Sequence, residues 1–521
     1  MRRATLIALG VLFILPTISF AQQWSKEFDK EVNFIKMTEA GVAVVGTDDA
    51  LYGINGEGEV LWHNEKLRKV EENRVEILSG SELIFVSDKG LMARNRAINV
   101  LTGVEYADRG VKFANIFAAA IVHPANLLLV LPDINSPESI EAWDINSNKV
   151  LWTLGGEFPY AIAAEKMASL TATFQGMQPF TYTSNTSGIL HLGLGHLAEY
   201  DFTTGQPKWQ FDFGPYKIKK PGKDNSDTAS NPSKGYAAMK FDEASNTLYF
   251  PFRNILIAID ASTGRAKWDV KANKTGLVKD IYVTNDGVLV LTAAGLELLD
   301  PATGTTIWDK GPRIKGGGSG LLVREGEVFY VVSKKYIYKI DVANARAEQL
   351  TDKIKFQGNE SFSSIELQDD LIILSSSQNI VGIYKNTGAI AFQEYYKAPG
   401  ASLATIAGNI ALATVAVAST MNSQRIGQQN ADALGNYSYY QYTPALRDGG
   451  TRNSLNTNNF KYINTKFKGK GFGMAKVNKT TGELEEEIII GDRSPIYATD
   501  ENTNLIFYKS AKKMVNCKRM N

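Results

Sequence analysis

Apolar and polar positions alternate along this chain in short bursts, and nowhere does helical spacing persist long enough to predict an extended amphipathic helix. Stretches such as GYAAMKFDEASNTLYFPFRN at 235–254 and DIYVTNDGVLVLTAAG at 280–295 read as pairs of strands of about four to eight residues, joined by Asn, Asp and Gly turns. A third strand follows each pair and runs into a turn, as in LIAIDASTGRAKWDV at 256–270, after which a Trp marks a fourth strand. The same phrase returns as IEAWDINSNKVLWTL, LAEYDFTTGQPKWQF and LELLDPATGTTIWDK. A unit of four short strands repeated every 40 to 60 residues or so predicts an all-β fold, a β-propeller of four-stranded blades.

Aligned on the turn, the repeat falls at Gly58 with Trp62, Gly103, Asn148 with Trp152, Gly205 with Trp209, Gly264 with Trp268, and Gly304 with Trp308. Fainter copies follow in YIYKIDVANARAEQL, in IVGIYKNTGAIAFQE, where Phe392 takes the Trp place, and in GFGMAKVNKTTGELEEE. Asp201, Asp260 and Asp300 are placed to accept from turn amides, and Gly205, Gly264 and Gly304 to adopt the positive φ of a tight hairpin. Trp209, Trp268 and Trp308 then fill the space between stacked blades, because a blade buries both faces only against its neighbours. These nine residues are expected to be architectural. At the C-terminus SPIYATDENTNLIFYKSAKKMVNCKRMN supplies three strands and no turn, while QQWSKEFD after the N-terminal leader supplies one strand with Trp24. Pairing them closes the ring. The count is then ten blades, within an expected range of eight to ten.

The motif AIDASTGRAKW, with Ala258, Asp260, Thr263, Gly264 and Trp268, resembles the docking motif of the quinoprotein-like (PQQ-repeat) β-propellers. LLDPATGTTIW and EYDFTTGQPKW match it without the Ala, and the resemblance extends over nearly the whole chain after residue 21. It implies the fold strongly and the function weakly, since this scaffold carries dehydrogenases, assembly factors and binding proteins. Within the family the chain is similar to the propeller component of the outer-membrane barrel-assembly machinery.

Residues 1–21, with Arg2, Arg3, an apolar stretch from Leu6 to Leu15 and a small-residue exit at Ala21, are expected to be a secretory signal peptide, leaving 22–521 as the propeller. Pro16 breaks the apolar stretch before the roughly 20 residues a membrane anchor needs. The remainder has no transmembrane segment of that kind. Lys and Arg number 56 against 55 Asp and Glu, a balance that offers no field for nucleic acid. Cys517 is the only cysteine, so no intrachain disulfide is expected, nor the neighbouring Cys pair that the resemblance associates with quinone-dependent members.

Between Gly388 and Gly482 the repeat spacing doubles, and residues 419–470 read as a polar insertion between the second and third strands of one blade. The composition fits either a polar loop or a recognition loop in which Tyr437, Tyr439, Tyr440, Tyr442, Arg447 and Arg452 contact a partner. A second loop carries Lys217, Lys219, Lys220 and Lys223, a solvated charge run, and Asp224 to Asp227, which lack the Gly and Glu spacing of a calcium loop. Of the four histidines, His191 and His196 sit five apart, on opposite faces of any one strand; His63 follows Trp62 on an outer strand. No catalytic residue, cofactor or metal site is therefore expected. The function expected is that of an exported, non-enzymatic scaffold binding other envelope proteins, or a subunit of an outer-membrane complex, periplasmic or outer-membrane associated. The alternatives are a quinone-dependent oxidoreductase and a polysaccharide-active enzyme whose two carboxylates would come from different blades.

Overall fold

In the middle strand GVLVLT, Gly287–Thr292, every side chain is buried, yet successive ones serve different cores. Val288 and Val290 pack with Tyr249, Leu256 and Trp268 of the preceding sheet, whereas Leu289 and Leu291 pack with Phe329, Val331 and Tyr338 of the following one. A strand is apolar on both faces when its sheet is sandwiched between two others. The same division recurs at Val44 and Val45, and again at Ile84 and Phe85. Each core thus lies in a seam between sheets, and no sheet buries its own apolar surface alone.

The computed structural model describes residues 24–78, 81–86, 96–106, 118–122, 125–131, 140–154, 180–191, 197–216, 239–252, 255–269, 278–292, 295–314, 321–399, 447–448, 451–452, 454–493, 495–500 and 502–520. Among them ten antiparallel sheets form the blades of an all-β propeller. Blades 1 to 4 run from Val32–Met37 to Val60–Asn64, from Val75–Leu78 to Glu105–Tyr106, from Ala118–Val122 to Lys149–Leu154, and from Phe180–Ser184 to Pro207–Gln210. Blades 5 and 6 run from Lys240–Asp242 to Ile255–Asp260 and from Val278–Thr284 to Leu296–Leu299. Blades 7 to 9 run from Leu322–Glu325 to Arg346–Gln349, from Ser364–Gln368 to Ile390–Tyr395, and from Ser454–Asn456 to Leu484–Ile489. Within blades 1 to 9 strands pair in chain order, and at several seams the first strands of adjacent blades are in contact. Blade 10 combines the two ends of the fold: Tyr497–Asp500, Leu505–Ala511 and Met514–Arg519 are completed by Trp24–Glu27, in register from Trp24 opposite Cys517 to Glu27 opposite Met514.

In blades 5 and 6 the fourth strand is short, held to the third by the bridges Ile259 to Ala266 and Leu299 to Thr306 and by the Lys267 amide on the Ala258 carbonyl at 2.8 Å and the Ile307 amide on the Leu298 carbonyl at 2.7 Å, before its Trp reaches the next blade. One expectation requires correction. The 419–470 insertion ends earlier than its composition suggests. Blade 8 is complete by Tyr395, and residues 454–470 build the first two strands of blade 9, with Phe460 opposite Asn478 and Phe467 opposite Gly471. The polar letters of FKYINTKF hid a strand because Lys461, Asn464 and Thr465 are buried beside Tyr462 and Ile463. The signal-peptide segment and 419–446 lie outside the described residues. No helix among the described residues is long and apolar enough to cross a membrane.

Candidate functional site

The repeated motif does two jobs, one in its own blade and one in the next. Asp260 Oδ1 accepts from the amides of Ser262 and Thr263 at 3.0 Å each and from the Thr263 hydroxyl at 3.1 Å, while the Gly264 amide closes the turn on the Asp260 carbonyl at 2.8 Å. Asp201 and Asp300 repeat this network with Thr203 and Thr204, and with Ala302 and Thr303. The amide of Thr204, foremost, holds the Asp201 carboxyl below its ordinary range, and the amide of Thr303 does the same for Asp300. Such carboxylates are committed as acceptors to their own turns.

The indoles reach forward across the seams. Trp209 Nε1 of blade 4 donates to the Ala261 carbonyl at 2.6 Å, which is the residue after the motif Asp of blade 5. Trp268 donates to Pro301 at 3.0 Å and Trp308 to Val342 at 3.0 Å, one blade further each time. Trp62 to Val100, Trp152 to Phe202 and Trp24 to Gly56 follow the same rule, the last joining blade 10 to blade 1. The motif glycine makes the approach possible. At Gly264, φ is +68° and a Cβ would sit 2.5 Å from the Trp209 ring; at Gly205 one would sit 2.6 Å from Trp152. Gly304 holds φ at +73° in the equivalent turn.

From blade 7 onward charged side chains also bridge the seams. Lys385 meets Glu325 at 2.5 Å between blades 8 and 7, Lys479 meets Glu366 at 2.7 Å between 9 and 8, Lys518 meets Glu486 at 3.3 Å between 10 and 9, and Lys509 meets Glu31 at 3.0 Å between 10 and 1. Phe392 of blade 8 lies where a Cβ on Gly482 of blade 9 would stand 2.3 Å from its ring.

Among the described residues, the seam between blades 8 and 9 holds a buried polar cluster that sequence reasoning missed. Lys461 is fully buried, its Nζ donating to Ser375 Oγ of blade 8 at 3.1 Å and to Asn456 Oδ1 at 3.3 Å. Burial above all, then the Lys479 ammonium, pull its pKa down to about 7, against the opposing pull of Glu366 and Glu360. Lys479, also buried, donates to Glu366 Oε2 and the Thr457 carbonyl, while Glu366 Oε1 is buried without a hydrogen-bond partner. Glu360 Oε2 accepts from the Gln378 amide at 3.0 Å, from Asn379 Nδ2 at 2.7 Å and from the Ser376 hydroxyl. The signal that would have revealed the cluster is a lysine at an inward position of an alternating strand.

Tyr437, Tyr439, Tyr440 and Tyr442 lie outside the described residues, as do Lys217 to Asp227, His123 and His196. Arg447 and Arg452 are brought opposite each other on a short hairpin, Arg447–Asp448 with Thr451–Arg452. His63 stacks on Tyr52 with ring centroids 5.9 Å apart, on the exposed outer strand of blade 1. The Cys517 thiol is buried and pushed up to about 12, chiefly by desolvation. Among the described residues no three His, Cys, Asp or Glu side chains group as metal ligands would.

Neither a family model nor a curated protein matches the chain. Among solved structures it is similar to the computationally designed Ika8 protein, at 12% identity over 71% of this chain and 98% of that one, with a TM-score of 0.35. BamB from Moraxella catarrhalis is similar at 16% identity over 68% and 97% of the two chains, with a TM-score of 0.35. A eukaryotic initiation factor is similar at 10% identity over 71% and 89%, with a TM-score of 0.41. Likenesses of this size leave function to be argued from the chain's own residues.

Proposed function

We propose that this protein is an exported, non-enzymatic member of the PQQ-repeat propellers, serving as a protein-binding scaffold or as a subunit of an envelope or outer-membrane complex. The observation that carries this is the use made of the repeated polar groups: Asp201, Asp260 and Asp300 satisfy turn amides, and the indoles of Trp209, Trp268 and Trp308 are donated to neighbouring blades. Repetition in this chain builds a rigid ring, and recognition falls to the segment that does not repeat. That segment joins blades 8 and 9 and carries Tyr437, Tyr439, Tyr440 and Tyr442, a composition suited to partner contact at low entropic cost. The partners are other envelope proteins, met in the periplasm or at the outer membrane.

Affinity capture of the tagged protein from a native envelope extract tests this reading. It should retain a defined envelope protein, and replacing residues 421–446 by a short Gly-Ser linker should release it while the ring stays folded. Equal retention by both proteins would remove the recognition role of the segment. Amino-terminal sequencing of the exported form should begin at Gln22; an intact terminus in the cytoplasm would overturn the export proposal.

A further inference from the structure

We propose that Lys461 is a proton-operated latch on the seam between blades 8 and 9: its protonation loosens the first two strands of blade 9 and, with them, the anchored end of the 396–453 connection. The inference stands on the geometry of the seam and is independent of what the propeller binds. A neutral lysine amine has two N–H donors, and Lys461 has two acceptors, Ser375 Oγ across the seam and Asn456 Oδ1 on the first strand of its own blade. The ammonium has three donors, one more than the two acceptors bonded to Lys461 in the closed seam, in a fully buried place.

The charges around it pull in opposite directions, Lys479 against the proton and the two carboxylates for it, and burial outweighs them. From blade 9, Lys479 presents a like charge that is itself buried, and from blade 8, Glu366 and Glu360 present the opposing carboxylates. Each carboxylate has one oxygen engaged elsewhere, while Glu366 Oε1 is left without a hydrogen-bond partner. Glu366 is bonded to Lys479 through Oε2, and Glu360 Oε2 is taken up by Ser376, Gln378 and Asn379. Neither is hydrogen-bonded to Lys461. A protonated Lys461 relieves its burial most directly by separating from Ser375, which moves the second strand of blade 9 from blade 8. Asn456 ties the same amine to Ser454–Asn456, the strand at which the connection rejoins the ring. An event at one nitrogen is thereby coupled to the point where the connection is anchored.

The sign follows from linkage. The closed seam holds the amine at about 7, whereas an opened, hydrated lysine returns to its ordinary 10.5. Between pH 8.5 and pH 5.5 the ratio of opened to closed seam should therefore rise about thirtyfold.

Hydrogen exchange resolved by peptide, with rates corrected for the intrinsic pH dependence, tests the latch on the intact protein. Amides of 454–467 should lose about thirtyfold in protection from pH 8.5 to pH 5.5, while those of 197–210 in blade 4 change far less. In Lys461→Met, which keeps the apolar stem and removes the titrating group, protection of 454–467 should become equal at the two pH values. Wild-type protection that changes equally in both segments would overturn the proposal, and that comparison holds whether or not the variant folds. Persistence of the pH dependence in Lys461→Met would overturn it as well.

Discussion

Trp209 and Gly264 form the smallest unit that joins two blades, and its parts can be separated by mutation. Trp209→Ala should cost about 3 to 5 kcal/mol, because a nearly buried indole leaves a cavity in the seam. Trp209→Phe, which keeps most of the ring and loses the bond to Ala261, should cost less, with about 1 kcal/mol due to the bond itself. Gly264→Ala should cost about 1 to 3 kcal/mol, since it places a Cβ at positive φ and against the Trp209 ring. The two changes should be less than additive, as the cavity left by Trp209→Ala accommodates the new methyl. Urea unfolding of the single and double variants measures all of this, and full additivity would show that the contact carries no energy. The Asp, Gly and Trp positions were legible because they recur, and recurrence at fixed spacing is a property of sequence. The acceptor of each indole was not legible, for it belongs to the following blade 32 to 52 residues away and is a backbone carbonyl of variable residue type.

At the scale of the strand, the element completing blade 10 comes from the other end of the chain. Trp24–Glu27 covers the edge of Met514–Arg519, and Trp24 then anchors blade 1 through Gly56. Removing residues 22–29 should expose an unpaired edge and detach that anchor together. A lower melting temperature and concentration-dependent association by light scattering are expected; an unchanged monomer would show that the seam holds without the strand. The connection between blades 8 and 9 divides differently from its composition. Replacing 421–446 by a linker should leave the melting temperature nearly unchanged, since loop length enters only logarithmically, at about 0.6 kcal/mol per doubling. Extending the replacement to 467 should abolish folding of blade 9, because Tyr462 and Ile463 belong to the seam cores. Circular dichroism melts of the two variants distinguish these outcomes.

At the scale of the whole ring, two titrating groups on different seams impose opposite pH dependences. Glu76, on the first strand of blade 2, is raised from 4.5 to about 8 by desolvation, with Lys36 opposing. The folded ring then keeps a proton that the unfolded chain releases, so the contribution of Glu76 to stability is full below pH 4.5 and is lost as pH rises to about 8. Lys461 acts in the other direction: the unfolded chain binds the proton more readily, so its contribution grows as pH rises from about 7 toward 10.5. Together they should place a minimum of stability between about pH 7 and 8 within the range pH 5 to 10. Thermal melts across that range check it, with Glu76→Gln flattening the falling limb and Lys461→Met the rising one. Profiles that keep both limbs in both variants would assign the dependence to other groups.

The sequence by itself determined the repeat, the strand-rich blades, their number to within eight to ten and the pairing of the two chain ends, because alternation and turn chemistry act over a few residues and are written wherever they act. Tertiary structure alone decided which seam each residue serves. Val288 and Leu289 are neighbours in the chain and belong to different cores, a division set by the stacking of three blades. It also decided that Lys461, within the stretch read as a polar insertion, is interior: the fully buried middle of a blade admits a polar side chain when acceptors surround it, and one of them, Ser375, comes from a blade that only the closed ring brings alongside.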